Sequence, residues 1–413
     1  MGEIIMSNEP WDFLNSVLRF RDDDSQFWWD RTGRMFSKLL KYAGYSAAEQ
    51  YRELNFYSLF VAPELGPSPD CHGNVRRWRS PGTPDSTPID FSWEWGRDDH
   101  AVVRYSFEPI GAHAGTELDP LNRYATNDWI FKLQQQKMVP GLDLEWYKHF
   151  TNQILQHDNR TSKTVDCFVE ETTPKAGTVV ALDIEKTGPV MKIYIYPGLK
   201  AEELGISNLE LVERSIRSLP PDQFNSLNAE PLFDFLREGT EKYNFETGIL
   251  AIDCLAPKDA RIKMDCITLG GRLDMSGEAI EDLKDFWKTF LGDASDMLPD
   301  DAPGRASPGF YYTLGCGKAI SPKVYISPQY FCKSDVDVLS RLRKFFSTRR
   351  SDQMMDNYEA AMVDIFGTKT LDSRCGSHYY VGCALAKGQL RVVTYLSPQS
   401  FDCEKDKICS RKP

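Results

Sequence analysis

The sequence lacks the features of a membrane protein and of a cysteine-based site. No stretch approaches the about 20 apolar residues that cross a bilayer, and the amino terminus lacks the apolar core of a secretory signal. The ten cysteines are spread along the 413 residues without a Cys-x-x-Cys pair, which argues against a zinc or thioredoxin-type motif. We therefore predict a cytoplasmic protein with no membrane partner, whose cysteines are mostly free thiols in the core.

Basic residues are also fewer than acidic ones. The chain has 49 Lys and Arg against 60 Asp and Glu, a net charge of -11. Nucleic acids and anionic membranes are bound by basic surfaces, so we expect no nucleic-acid partner. A phosphate-bearing ligand would need cations that are concentrated locally.

Motifs for metal-dependent and nucleotide chemistry are missing as well. The paired aspartates never form an Asp-Asp-x-x-Asp motif, and the six histidines form no His-Glu-x-x-His motif. Gly317-Lys318 lacks the earlier glycine that a phosphate-binding P-loop requires. The sequence therefore predicts no metal site.

A pattern of paired strands and helices does recur along the chain. Apolar residues at helical spacing predict helices between Trp11 and Phe60, and the proline-rich stretch 67–88 predicts an extended loop. The predicted strands that follow are Ile89–Trp95, Ala101–Glu108, Thr178–Ile184, Met191–Tyr196, Gly248–Cys254, Ala260–Thr268, Gly309–Leu314, Lys323–Ser327, Ser377–Leu385 and Leu390–Leu396. The predicted helices among them are Trp146–His157, Asn208–Arg217, Ala229–Lys242, Glu278–Phe290, Asp335–Phe346 and Asp352–Phe366.

These elements form five degenerate ββα(α) units, which favours one closed assembly over two separate domains. We predict a single domain over 1–413. It comprises helices and the proline-rich loop over 1–88, a barrel over 89–398 and a tail over 399–413.

The second strand of each pair carries cations and tyrosines at alternate positions, which share one face. These sets are Arg104 with Glu108, Lys192 with Tyr194 and Tyr196, Arg261 with Lys263, Lys323 with Tyr325, and Arg391 with Tyr395. A single polar face of this kind would normally lie in water. Five in succession favour the lumen of a barrel that helices cover from outside, and a barrel of about ten strands is wide enough to hold a cavity.

Such a lumen would suit an allylic diphosphate. Converging Arg and Lys side chains bind phosphate oxygens, and the faces of neighbouring tyrosines stabilise a carbocation and exclude water from it. The tyrosines in question are Tyr194, Tyr325, Tyr380 and Tyr395. The alternative for each tyrosine alone is a packing role with its hydroxyl at the rim.

Six short runs stand in a distinctive order along the chain. They are Val103-Arg104 to Glu108-Pro109, Gly115-Thr116 with Asp119-Pro120 and Asn122, Lys192-Ile193-Tyr194, Ala260-Arg261-Ile262-Lys263, Lys323-Val324-Tyr325, and Val393-Thr394-Tyr395-Leu396-Ser397-Pro398. Their order and spacing resemble the fungal dimethylallyltryptophan synthase-type aromatic prenyltransferases. The resemblance implies an α+β fold, the α-β-β-α (ABBA) barrel of ten antiparallel strands surrounded by helices, with the active site in the lumen.

The resemblance also implies an activity. It is the transfer of a prenyl group, for which we favour dimethylallyl, from its diphosphate to an indole-containing secondary-metabolite scaffold. Mg2+ and Ca2+ are not essential in this family, and the prenyl diphosphate is a co-substrate. Prenylation of a hydroxylated polycyclic acceptor and a non-catalytic barrel that binds a phosphorylated or apolar ligand are the alternatives, and the protein could be a monomer or a homodimer.

Individual roles follow from the same resemblance. The diphosphate-binding residues are Arg104, Lys192, Arg261, Lys263, Lys323, Tyr325 and Arg391, and the carbocation shield is Tyr194, Tyr325, Tyr380 and Tyr395. Asp90 stands where the family has a glutamate that hydrogen-bonds the indole N–H, and we assign catalytic roles to Asp90, Lys192 and Tyr194. Ser106 and His113 would line the acceptor side with Asp90.

The sequence departs from the family at several of these positions. Asp90 is one methylene shorter than the usual glutamate, and Asp265 and Arg391 replace tyrosines. Residues 243–258 contain no arginine to hold an amino-acid carboxylate. We therefore predict a neutral, larger acceptor, such as an indole alkaloid, a cyclic dipeptide or a polycyclic phenol, rather than a free amino acid.

Overall fold

Ten antiparallel strands close into one barrel, in which each strand pairs with its neighbours in the sequence and the first pairs with the last. The computed structural model describes residues 9–95, 101–155, 176–185, 188–243, 245–267, 277–291, 309–349, 352–386 and 389–401. The strands are β1 (Ile89–Trp95), β2 (Ala101–Phe107), β3 (Thr178–Glu185), β4 (Gly188–Ile195), β5 (Leu250–Asp253), β6 (Arg261–Ile267), β7 (Gly309–Gly315), β8 (Ser321–Ile326), β9 (His378–Ala386) and β10 (Gln389–Leu396).

Helices precede the barrel and connect its strand pairs. They are α1 (Pro10–Val17), α2 (Asp23–Trp28), α3 (Arg34–Tyr42), α4 (Ala47–Phe60), α5 (Ala125–Gln136), α6 (Glu145–Ile154), α7 (Gly198–Leu204), α8 (Asn208–Arg217), α9 (Pro221–Leu227), α10 (Glu230–Tyr243), α11 (Gly277–Leu291), α12 (Asp335–Phe346), α13 (Asp352–Phe366) and α14 (Thr368–Ser373). A π-helical turn, Trp29–Gly33, joins α2 to α3. Within the described ranges, no helix is long and apolar enough to cross a bilayer.

The predicted closed barrel with surrounding helices is confirmed. All ten predicted strands are present, and three helices, α8, α12 and α13, have the predicted bounds. The predicted ends at His157 and Thr268, and the tail beyond residue 401, lie outside the described residues. Helices α5, α7, α9 and α14 were missed. Two of them, α7 and α9, have only seven residues each, too few for a helical period to show in the sequence.

Alternate apolar residues hold the barrel against its helices. On β2, Val103, Tyr105 and Phe107 are buried, and the ring of Tyr105 lies 5.2 Å from Phe36 of α3 and 5.6 Å from Tyr57 of α4. Successive side chains of a strand point to opposite faces. The intervening residues of β2 therefore face the lumen, as the sequence pattern predicted.

The barrel has two different ends. Short connections join β1 to β2, β3 to β4, and so on, at one end, which we call the hairpin end. The connections that contain helices lie at the other end, the helix end. Asp90, near the start of β1, and Tyr194, near the end of β4, therefore lie toward the helix end, whereas Glu94 and Arg261 lie toward the hairpin end.

Glu108 follows β2 directly, at the helix end, and its side chain is buried. Its Oε1 accepts hydrogen bonds from the indole N–H of Trp78 at 2.8 Å and from the side-chain amide of Asn122 at 2.9 Å. It thereby ties the proline-rich loop to the loop that follows β2. The sequence pattern grouped Glu108 with Arg104, but Arg104 makes its ion pairs with other carboxylates.

Replacing Glu108 by glutamine should stabilise the protein at alkaline pH. Burial raises the pKa of Glu108 from 4.5 to about 7, so its folding contribution is favourable at low pH and is lost as the pH rises through that interval. Glutamine keeps an oxygen for Trp78 and Asn122 but carries no charge. At pH 8 we expect the free energy of unfolding to rise by up to about 3 kcal/mol, measured by urea denaturation, with the gain shrinking as the pH falls toward 5.

The matched control is Glu117→Gln, since Glu117 is exposed in the loop after β2. Because its side chain is exposed, this control should change the free energy of unfolding at pH 8 very little. A Glu108→Gln variant whose stability parallels that of the parent from pH 5 to pH 8 would contradict the prediction.

Candidate active site

The structure brings the predicted lumen cations together. They project from the even-numbered strands and are Arg104, Lys192, Arg261, Lys263, Lys323 and Arg391. Arg104 and Lys192 share the carboxylate of Asp183 on β3, with 3.2 Å between Arg104 Nε and Asp183 Oδ1. Arg261 Nε lies 2.5 Å from Oδ2 of Asp253 on β5. Charges that the sequence pattern placed on separate strands thus form one cluster.

Buried carboxylates lie between these cations and come from the first strands of three pairs, β1, β3 and β5, which the sequence analysis did not follow for charge. Glu94 of β1 lies 2.5 Å from Arg104 Nη2 and 3.3 Å from Arg391 Nη1. Burial opposes ionisation of Asp183, but the charges of Arg104 and Lys192 outweigh it and hold the pKa of Asp183 below its usual range. These carboxylates therefore orient the cations and reduce their mutual repulsion.

Lys323 is different, because it forms no ion pair with a carboxylate in the described part of the chain. Its Nζ donates to the hydroxyl of Tyr395 at 2.8 Å and lies 4.6 Å from the centre of the Tyr325 ring. Gly382 of β9 leaves room for it, since a Cβ there would lie 2.9 Å from Lys323 Cε. Burial and nearby positive charge lower the pKa of Lys323, and they lower that of Lys263 to about 7. A bound anion would reverse both effects.

Toward the helix end, tyrosine rings replace the charges. The ring of Tyr325 lies 5.6 Å from Tyr395 and 6.1 Å from Tyr380. Tyr311 of β7 lies 4.8 Å from Tyr325, and Tyr379 of β9 lies 6.2 Å from Tyr395. The sequence analysis did not include Tyr311 or Tyr379. Extending the alternation of lumen residues from β8 to its partner strand β7 would have identified Tyr311 as a lumen residue. Nothing in the sequence pattern points to Tyr379.

Asp90 lies beside this tyrosine layer and is buried. Its Oδ1 accepts hydrogen bonds from the backbone N–H of Ser106 at 3.0 Å and from the Ser106 hydroxyl, and its Oδ2 accepts one from the Tyr379 hydroxyl. Burial raises the pKa of Asp90 to about 6, although these hydrogen bonds oppose the rise. The structure thus brings together the predicted acceptor residues Asp90 and Ser106, with Tyr379 added.

The other predicted site residues lie in different places. Tyr194 is two residues beyond Lys192 on the lumen face of β4, and burial raises its pKa well above the usual range. His113 lies in the loop after β2 with an exposed side chain, and the hydrogen bonds to the Asp90 carboxylate come from Ser106 and Tyr379 instead. The side chain of Asp265 lies outside the described residues.

A closed ten-stranded barrel, with cations at one level of the lumen and tyrosines at the next, is the ABBA fold, and sequence similarity to prenyltransferases over most of the chain makes the protein an aromatic prenyltransferase. The chain belongs to the tryptophan dimethylallyltransferase family, whose model matches residues 24–361.

Individual relatives are similar over nearly the whole chain. The 4-O-dimethylallyl-L-tyrosine synthase of Claviceps purpurea is 29% identical over 402 residues, which cover 91% of this chain and 88% of the relative. Xanthone prenyltransferase B of Emericella nidulans is 28% identical, with 96% and 92% covered. The crystal structure of AnaPT from Neosartorya fischeri has a TM-score of 0.82 at 20% identity and covers 95% of this chain and 98% of its own.

Proposed function

We propose that this protein transfers a dimethylallyl group from dimethylallyl diphosphate to an aromatic secondary-metabolite scaffold without a metal ion. The observation that carries the proposal is the contact between two layers of one lumen, where Lys323 of the cation cluster touches the rings of Tyr325 and Tyr395. A diphosphate held by the cations would place its prenyl chain among the tyrosines.

The first chemical step is ionisation of the donor. The bond between the allylic carbon and the bridging oxygen breaks, and both electrons leave with the diphosphate. Arg104, Lys192 and Arg261 stabilise this charge through ionic hydrogen bonds, which are the strong kind. The tyrosine faces stabilise the allylic cation and exclude the water that would quench it.

The distribution of carboxylates supports chemistry without a metal. Glu94, Asp183 and Asp253 are each engaged by a cation of the cluster. Among the described residues, no three histidine, cysteine or acidic side chains are grouped to hold a metal ion. Among the described side chains of the cluster, six cations exceed three carboxylates when all are ionised, and this excess positive charge does what a divalent cation would otherwise do for a diphosphate.

The second step is attack by the acceptor ring. An aromatic carbon bonds to the allylic cation, and the proton that the acceptor then loses passes to Asp90. A carboxylate with a pKa of about 6 is ionised at neutral pH and is a stronger base than an ordinary aspartate. It can accept a hydrogen bond from an indole N–H, which membership of the tryptophan dimethylallyltransferase family supports. It can equally accept one from a phenol, which the relatives named for 4-O-dimethylallyl-L-tyrosine and xanthone support.

Radiolabelled dimethylallyl diphosphate, incubated with the protein and a panel of indoles and phenols, tests the proposal. We expect labelled product from at least one acceptor, at the same rate with and without EDTA. Product that forms only after magnesium is added would exclude the metal-free mechanism. Tight binding of the diphosphate with no product from any acceptor would favour a non-catalytic barrel.

A further inference from the structure

A β-bulge places an additional tyrosine in the lumen. Tyr395 of β10 pairs with Tyr380, whereas the next residue, Leu396, pairs with His378, so Tyr379 is an extra residue in β9. A bulge lets neighbouring side chains depart from strict alternation. Accordingly, Tyr380 packs against Tyr325 while Tyr379 bonds to Asp90.

The residue before Tyr379 is fixed outside the barrel. The backbone N–H and Nδ1 of His378 each lie 2.8 Å from Oδ1 of Asp335 on α12, and its Nε2 lies 2.8 Å from the hydroxyl of Tyr358 on α13. Ser327 also donates a hydrogen bond to the carbonyl of Tyr379 at 3.1 Å. These hydrogen bonds hold the bulge in register. They therefore fix the position from which the Tyr379 hydroxyl bonds to Asp90.

Tyr379 and Asp90 form a matched donor and acceptor pair. Burial and the charge of Asp90 raise the pKa of Tyr379 well above its usual range, so the phenol stays protonated and donates. Asp90 Oδ1 already accepts two hydrogen bonds from Ser106, so a substrate has to bond to Oδ2. Tyr379 also donates its hydrogen bond to Oδ2. Any acceptor that approaches Asp90 therefore meets the Tyr379 hydroxyl as well.

We propose that Tyr379 is a specificity-determining residue, which with Asp90 recognises a hydroxyl group on the aromatic acceptor. A phenolic hydroxyl can donate to Asp90 and accept from Tyr379 at the same time. An indole N–H can only donate, so it competes with Tyr379 for one oxygen or leaves the buried tyrosine hydroxyl without an acceptor. Such an unmet buried donor costs about 1–3 kcal/mol. The inference rests on the proposed function and selects between its two acceptor classes.

The pair also has a chemical consequence for a phenol. As a ring carbon attacks the allylic cation, the phenolic O–H proton moves to Asp90, and the electron pair of that bond becomes part of the C=O bond of a dienone. The substituted ring carbon then loses its own proton to the diphosphate while Asp90 returns a proton to the oxygen, which restores the aromatic phenol. The Tyr379 hydroxyl donates to this oxygen and stabilises the negative charge that develops there. The acceptor thereby attacks with the character of a phenolate, and the diphosphate that left in the ionisation step keeps both electrons of the broken C–O bond.

Tyr379→Phe, assayed with 1-naphthol and with indole as acceptors, tests the inference. Both probes are fused bicyclic rings, but only 1-naphthol carries a hydroxyl. We expect the variant to lower kcat/KM for 1-naphthol by about 10–100-fold, as the loss of one buried hydrogen bond predicts, and to raise the value for indole by up to about tenfold, because the unmet buried donor is gone. The control, Tyr395→Phe, removes a lumen hydroxyl that bonds to Lys323 and Tyr325, and it should affect both acceptors by the same factor.

Calorimetric binding of the two probes, with inorganic diphosphate present, tests the same point without turnover. The parent should bind 1-naphthol more tightly than indole, and Tyr379→Phe should abolish the preference. Equal losses for both probes in Tyr379→Phe, or no preference in the parent, would overturn the inference even if the enzyme is active. A preference that depends on Tyr379 in a protein that prenylates nothing would instead overturn the proposed function alone.

Discussion

Lys323→Met is expected to weaken binding of the prenyl diphosphate by about 100-fold without destabilising the fold. The loss follows from removing an ionic hydrogen bond of about 3 kcal/mol to a diphosphate oxygen. The fold should tolerate the change because Lys323 pairs with no carboxylate in the described part of the chain, and methionine fills a similar volume between Tyr325 and Tyr395. Calorimetry with dimethylallyl thiolodiphosphate and urea denaturation measure the two effects separately.

Arg104→Met is the informative comparison. It also removes a lumen cation, but it leaves the buried carboxylates of Glu94 and Asp183 without one of their partners. Breaking a buried ion pair in this way costs roughly 3–5 kcal/mol of stability, so this variant should lose both donor affinity and stability. Lys344→Met, at an exposed position of α12, should change neither. Unaltered diphosphate affinity in Lys323→Met would remove Lys323 from the proposed site.

Asp90→Asn is expected to lower kcat by about 100-fold or more, the range of a lost general base, while donor affinity stays the same. The pKa of Asp90 is raised to about 6, and the ionised form is the active one. The parent's kcat/KM for the acceptor should therefore rise with pH and level off above about 6, the pKa of this group. In Asp90→Asn that rise should be absent, because no proton remains to be lost at this position.

Asp90→Glu provides the matched control, since it keeps a carboxylate and adds the methylene that the family's usual glutamate has. This variant should retain a rise in rate with pH, although the longer arm disturbs the bonds to Ser106 and Tyr379. A pH profile that is the same in the parent and in Asp90→Asn would contradict the role of Asp90 as the base.

Much of the barrel could be predicted because each strand is short and alternates between two environments. The buried apolar residues of β2 are spaced by two residues around Tyr105, which packs on Phe36 and Tyr57, and Arg104 and Ser106 on the opposite face have the same spacing. Period and residue type therefore predicted both the strand and its lumen face. The seven-residue helix α9 could not be predicted in this way, since it spans only two turns.

The acceptor side of the site was predicted only in part. Asp90 and Ser106 were expected to lie together, and they do, because they are paired across β1 and β2. His113 lies exposed in the loop after β2. That loop is placed by tertiary contacts, and no strand period governs it. Its role as an acceptor residue stays a prediction.

The sequence by itself determined the ten strands, the side of the second strand of each pair that faces the lumen, and the identity of the cations and most of the tyrosines there, because these follow from local periodicity. Only the tertiary structure decided which charges neutralise one another and which hydroxyl reaches Asp90. Asp183 meets Arg104 and Lys192 across neighbouring strands, and Tyr379 enters the lumen through a bulge held by Asp335 on a distant helix. Both arrangements depend on strand register and on packing between remote segments, which no local pattern of residues encodes.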